Sequence, residues 1–182
     1  MTQPQRLRSL RPAPAAGFEQ PFEMLEACHQ RVRRMLTLLA RLRAHMSGHG
    51  ADEQARQAAR DVMRYFDLAA PQHHRDEELH VFPRLLAQGD PELTKAVRRL
   101  QQDHLAMESR WVVAREVLSR IASGELQLLA RDDDAALDEF AGLHAGHLAA
   151  EEEIAYPQAR ALMDAGDLEQ AGQEMARRRG VN

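Results

Sequence analysis

The sequence predicts an all-α protein: an antiparallel up-down-up-down four-helix bundle with a short extra C-terminal helix. Three observations point there. Aromatic residues make up 4 % of the 182 residues while Ala, Leu, Arg and Glu abound, a balance that favours helices over sheets. Apolar residues recur at helical spacing through four long stretches. Two of those stretches carry related segments, HHRDEELHVFP from His73 to Pro83 and HLAAEEEIAYP from His147 to Pro157, so the chain reads as a duplicated helical hairpin.

Residues 1–18 hold three prolines, three arginines and little periodicity, and are expected to form a mobile leader. The bundle is expected over 19–165, with a short helix and tail over 166–182. Its first helix should start at Pro21, a residue favoured in a first turn, and run to about Met46, ahead of Gly48 and Gly50. Phe22, Leu25, His29, Val32, Leu36 and Leu39 form one stripe, so His29 faces inward, whereas Cys28 is turned off that face and reads as a packing residue.

The second helix should begin near Ala51 and carry Val62, Phe66 and Ala69 toward His73 and Glu77. Pro71 is expected to kink it, because proline removes a backbone donor, and Pro83 marks a bend or an end near Leu86. Asp90 and Pro91 form the cap and first turn of a third helix. It runs to about Ala122 with Leu93, Val97, Leu100, His104, Met107, Trp111, Leu118 and Ile121 inward. The aspartates Asp132 to Asp134 suit the start of a fourth helix, whose stripe is Leu137, Phe140, Leu143, His144, His147, Glu151 and Ile154. After Gly166 a terminal helix ends in arginines that complement its dipole.

Charge and composition exclude several functions. The 28 acidic and 24 basic residues, net charge -4, are interspersed rather than blocked, which argues against a nucleic-acid partner. No apolar run approaches the roughly 18 to 20 residues of a membrane span, and the N-terminus lacks the apolar region of a secretory signal; a cytoplasmic protein with no membrane partner is expected. With Cys28 the only cysteine, metal ligation would have to use nitrogen and oxygen.

The inward histidines converge. His29 lies about 20 residues before the first turn and His73 about 22 after it, within one turn of the same depth at about 1.5 Å per residue, and similar counts bring His104 and His147 to that level. In His73–Glu77 and His147–Glu151 the four-residue spacing puts both side chains on one helical face. Four imidazoles and two carboxylates buried without partners would be costly. Either they form a mutually hydrogen-bonded polar layer or they hold metal. If both glutamates bridge, each of two metals receives two nitrogens and two oxygens, an oxo or hydroxo bridge adds a fifth donor, and one position stays open. That mixed set suits two iron ions, with manganese behind, better than structural zinc.

The order His29, His73-x-x-x-Glu77, His104, His147-x-x-x-Glu151, with Pro83 and Pro157 each ten residues after a histidine, resembles the hemerythrin-like HHE cation-binding domain from about residue 20 to 165. The resemblance implies metal ligation by His29, His73, Glu77, His104, His147 and Glu151, with Glu77 and Glu151 bridging. Within that group the pattern is most similar to the di-iron domain of repair-of-iron-centres proteins, which act in nitrosative and oxidative stress; their separate cysteine-containing N-terminal domain is not expected here. Oxygen-carrying hemerythrins have a third-helix His-x-x-x-His where this chain has His104 and Glu108, which favours reaction with peroxide, nitric oxide or oxygen over simple carriage.

His144, His80 and Glu108 are further candidate donors. His74 and Glu78 offer an alternative register, but the repeat favours His73 and Glu77. Glu152 and Glu153 should be solvated or hold ligands from outside, where each histidine's far nitrogen needs a partner. The expected function is binding or sensing of a small gaseous or peroxide ligand, or handling of iron. The alternatives are a peroxidase-like or nitric-oxide-reducing di-iron enzyme, and a metal-free helical interaction module.

Overall fold

A computed structural model describes residues 17–181 of the chain; most of the expected leader, residues 1–16, lies outside them. The described residues are helical, with no strand among them. Helix α1 spans Pro21–His49, α2 Glu53–Asp76, α3 Phe82–Leu86, α4 Pro91–Ser123, α5 Arg131–Gly142, α6 His144–Ala150, α7 Tyr156–Leu162 and α8 Ala165–Arg178. None of these is long and apolar enough to cross a membrane.

The ends follow their local chemistry. Asp90 Oδ1 accepts the Glu92 and Leu93 amides at 2.8 and 3.1 Å, and so caps α4 ahead of Pro91. Gly50, at φ +67°, turns the chain out of α1, and a Cβ there would stand 2.9 Å from the Gln127 carbonyl; both facts demand glycine. Helix α8 starts at Ala165 rather than after Gly166, because Asp164 and Asp167 form a reciprocal cap around its first turn.

The chain forms two compact units. The first comprises Arg31–Ala70 and Ala106–Leu143. Leu39, Leu42, Met46, Val62, Leu118, Ile121 and Leu137 are buried there. Trp111 lies against Phe66 and Phe140, with ring centroids 5.2 and 5.0 Å away, and donates its indole N–H to Asp67 at 3.0 Å.

The second unit comprises residues 17–30, Pro71–Leu105 and 144–181. Its core joins Phe22, Leu25, Val81, Phe82, Leu85, Val97, Leu100, Ala155, Tyr156 and Ala159, and α3 packs on α7. Helix α8 lies so close to the segment just ahead of α1 that a Cβ at Gly172 would fall 1.9 Å from the Phe18 carbonyl oxygen.

Pro71 sits inside a continuous α2. The irregularity comes later and twice: Glu77–Val81 and Glu151–Ala155 are single π turns. In them Phe82 N–H bonds to Glu77 O and Tyr156 N–H to Glu151 O, five residues back. Each π turn immediately precedes a proline pair position, Phe82-Pro83 or Tyr156-Pro157. A proline ring presses on the carbonyl four residues before it, and the wider turn relieves that pressure. The extra residue also rotates everything downstream. Ile154, expected inward, is therefore 43 % exposed, while Ala155 and Tyr156 are buried; Leu79 is likewise exposed, and Val81 and Phe82 are buried.

Candidate metal centre

All six expected donors lie in the second unit, and the fold brings them together. His29 comes from α1, His73 from α2, His104 from α4 and His147 from α6, while Glu77 and Glu151 each open a π turn. All six are buried, the two glutamates and His29 completely.

The histidines form two pairs. His29 and His73 meet edge to face with ring centroids 4.8 Å apart, and His104 and His147 stand at the same separation. Glu77 Oε1 lies 3.4 Å from His73 Nε2 and 3.9 Å from His29 Nε2, while its Oε2 lies 3.5 Å from His104 Nε2. Glu151 Oε2 lies 3.1 Å from His29 Nε2, while its Oε1 lies 3.0 Å from His147 Nε2 and 3.7 Å from His104 Nε2. Each carboxylate thus turns one oxygen toward each histidine pair.

Three of the four outer nitrogens are held by other carboxylates, and His73 Nδ1 has no hydrogen-bond partner among the described residues. His29 Nδ1 lies 2.9 Å from Glu152 Oε1, His104 Nδ1 3.2 Å from Glu78 Oε1, and His147 Nδ1 3.4 Å from Asp103 Oδ2. With Nδ1–H donated outward, each ring presents the Nε2 lone pair inward. Glu78 and Glu152 occupy equivalent places in the repeat, each directly after the inward glutamate, and each holds a histidine of the other hairpin.

The inward atoms tell the same story by what they lack. His73 Nε2, His104 Nε2, His147 Nε2, Glu77 Oε2 and both Glu151 oxygens are buried without a hydrogen-bond partner in the protein. They are close to one another yet not aimed at one another, and leaving such groups unsatisfied costs about 1–3 kcal/mol each. A polar layer of mutual hydrogen bonds would have paired them; convergent nitrogen and oxygen donors fit a cation pair.

The electrostatics follow from that crowding. Burial, reinforced by the charge of Glu151, raises the Glu77 carboxyl to about 7. Burial alone would raise Glu151 too, but His104, His147 and His29 hold it well below its ordinary value. Burial would lower His104, yet the facing Glu151 and Glu77 outweigh it and raise the imidazole to about 10; His29 is raised for the same reason. His73, buried and next to His29, falls to about 3.

The remaining candidates separate. Glu108 is exposed. His80 Nε2 lies 2.7 Å from Glu174 Oε2 of α8, and His144 is buried but belongs to neither group of convergent donors. His74 does come within reach of His104 and His147, a place the repeat alignment did not suggest. Its ring lies 4.0 Å from that of His104 at an angle of only 12°. Lone pairs lie in the ring plane, so two near-parallel stacked rings cannot both aim at one ion, and His74 packs against a donor rather than joining it.

Sequence reasoning also missed Asp76, which is fully buried beside Glu77 and takes Arg178 and Arg179 of the C-terminal segment, the latter Nη2 at 2.6 Å. Its partners lie about a hundred residues away, and no local pattern announces them.

Residues 20–175 match the family described as the hemerythrin HHE cation binding domain. The chain belongs to that family. This HHE domain is also similar to an uncharacterized protein of Haemophilus influenzae, 29 % identical over 175 residues that cover 96 % of this chain and 99 % of the relative. Family membership and the buried His/Glu clusters together make cation binding the expected property of the HHE centre.

Proposed function

We propose that the protein is a non-haem di-iron protein of the cytoplasm that binds or reacts with oxygen, nitric oxide or peroxide in stress response or iron handling. His29 and His73 would hold one iron and His104 and His147 the other, with Glu77 and Glu151 shared between the two. The observation that carries this reading is the division of each glutamate between the two histidine pairs. A donor set of imidazole and carboxylate without thiolate suits iron, with manganese behind it, and leaves more ligands than a closed tetrahedral zinc site takes. Two such ions supply open coordination positions and paired one-electron changes.

The protein supplies the rest. Glu152, Glu78 and Asp103 fix three imidazoles in the tautomer that presents Nε2 inward. The apolar core around Phe82, Leu100 and Ala155 keeps bulk water from the donors, so a small uncharged ligand enters more readily than a large or charged one.

The test is metal analysis of protein purified from iron-supplied cells, followed by absorption spectroscopy during separate titrations with oxygen, nitric oxide and peroxide. Two irons per chain and a spectral response to at least one of the three are expected. A reversible response marks a binder or sensor, and repeated turnover with a reductant marks an enzyme. Protein that retains no transition metal would overturn the reading.

A further inference from the structure

The two repeat segments differ at Phe82 and Tyr156, each of which packs on a donor histidine. Phe82 stacks on His104 with ring centroids 5.6 Å apart; its counterpart Tyr156 stacks on His29 at 5.2 Å. The phenol is 2 % exposed, donates to Glu77 Oε1, and places its oxygen 2.9 Å from His29 Nε2.

The side from which Tyr156 approaches decides its role. Groups that orient a histidine from outside touch Nδ1, as Glu152 does on His29. Tyr156 touches Nε2, the nitrogen that faces inward, and stands there beside Glu151 Oε2, itself 3.1 Å from that atom. Around a first-row cation with bonds of about 2.1 Å, donors at right angles to one another stand about 3 Å apart. The separations from His29 Nε2 to Tyr156 Oη and to Glu151 Oε2 are edges of that size. The phenol's single proton is directed at Glu77, so its oxygen turns a lone pair toward His29 Nε2 and Glu151 Oε2; once His29 gives up any proton on Nε2, a cation among the three atoms satisfies them all.

We infer that Tyr156 is a seventh donor, whose phenol oxygen ligates the ion held by His29 and His73. This rests on the di-iron reading above and goes beyond its six-donor set. On ligation the phenol proton leaves to solvent, as for other oxygen and nitrogen ligands that lose a proton to a metal. The consequence is an unequal pair: the ion at His29 and His73 has its extra position filled by the protein, and the ion at His104 and His147, backed by Phe82, keeps the position open to an incoming small molecule.

The experiment is visible absorption and resonance Raman spectroscopy of the aerobically iron-loaded wild type, Tyr156→Phe and Tyr65→Phe; Tyr65 and Tyr156 are the only tyrosines. A tyrosinate-to-ferric charge-transfer band with phenolate ring modes is expected in the wild type and in Tyr65→Phe, and its loss in Tyr156→Phe while two irons per chain remain. The wild-type Raman spectrum decides the matter even where the variant does not fold: two irons bound without phenolate modes overturn the ligand and leave the di-iron reading intact. A band that survives in Tyr156→Phe also overturns it. A wild type that holds no iron overturns both readings together.

Discussion

The segments His73–Pro83 and His147–Pro157 are two versions of one device, and their differences divide structure from chemistry. Where they agree, at the histidine, the two consecutive glutamates and the proline, each segment has an inward donor pair, an outward carboxylate and a π turn. Where they disagree, the first segment has Asp76, His80 and Phe82 and the second has Ala150, Ile154 and Tyr156. Asp76 and His80 tie the first segment to Arg178, Arg179 and Glu174, whereas Ala150 and Ile154 offer α8 no such charge. The shared positions build a symmetric cage; the differing ones anchor the first segment to the C-terminal arginines and bring the Tyr156 phenol of the second against His29 and Glu77.

The comparison breaks most severely if the shared glutamates are not equivalent. Glu77→Ala and Glu151→Ala are each expected to abolish stoichiometric iron binding, because each carboxylate serves both histidine pairs; atomic absorption of the purified variants reads this directly. Retention of two irons by either variant would sink the bridging arrangement.

The anchored half has its own large effect. Asp76→Ala leaves two arginines facing a buried gap and should cost about 3 kcal/mol or more of folding stability, read as a shift in the urea midpoint. Near-wild-type stability would mean that the clamp is idle.

A middling effect is expected outside the cage. Glu78→Ala and Glu152→Ala should each lower metal affinity by about 10- to 100-fold, as is usual when an outer partner of a ligating histidine is removed, and by similar factors, since the two play matching roles. His74→Ala, by contrast, should keep both irons; competition titrations with a chelator rank all three. A loss with His74→Ala as large as that with Glu78→Ala would bring His74 back among the donors.

The last effect, confined to the metal-free form, is in pH. In metal-free protein His104 titrates near 10 against about 6.5 unfolded. Its contribution to stability is fully present below the unfolded value and disappears as pH rises through about 10. The melting temperature of the metal-free form should therefore drift down between pH 7 and 10. The iron-loaded form, in which His104 no longer carries a proton, should not share that drift, and scanning calorimetry of both forms checks the difference.

Much of this was legible in the residues. Capping residues gave the start of α4, and helical periodicity put His29, His73, His104 and His147 on inward faces. The repeat picked Glu77 and Glu151 over their neighbours. What escaped has a common cause: periodicity assumes a constant 3.6 residues per turn. A π turn breaks that assumption, so the inward stripe was carried on to Ile154 when the chain had already rotated Tyr156 into its place. Pro83 reads as a bend or an end and Pro157 only as a position of the repeat, and neither announces the wide turn that precedes it. The clamp on Asp76 was hidden for a different reason, since pairing between residues so distant in the chain depends on tertiary packing alone.

The single tryptophan has a practical consequence. Trp111, packed against Phe66 and Phe140, belongs to the first unit, while every proposed iron donor belongs to the second. Indole fluorescence and iron absorbance are therefore separate gauges, one for each part of the molecule. Superimposed denaturation curves from the two would establish that the chain unfolds as one cooperative body, and curves that part would expose an intermediate with one region intact.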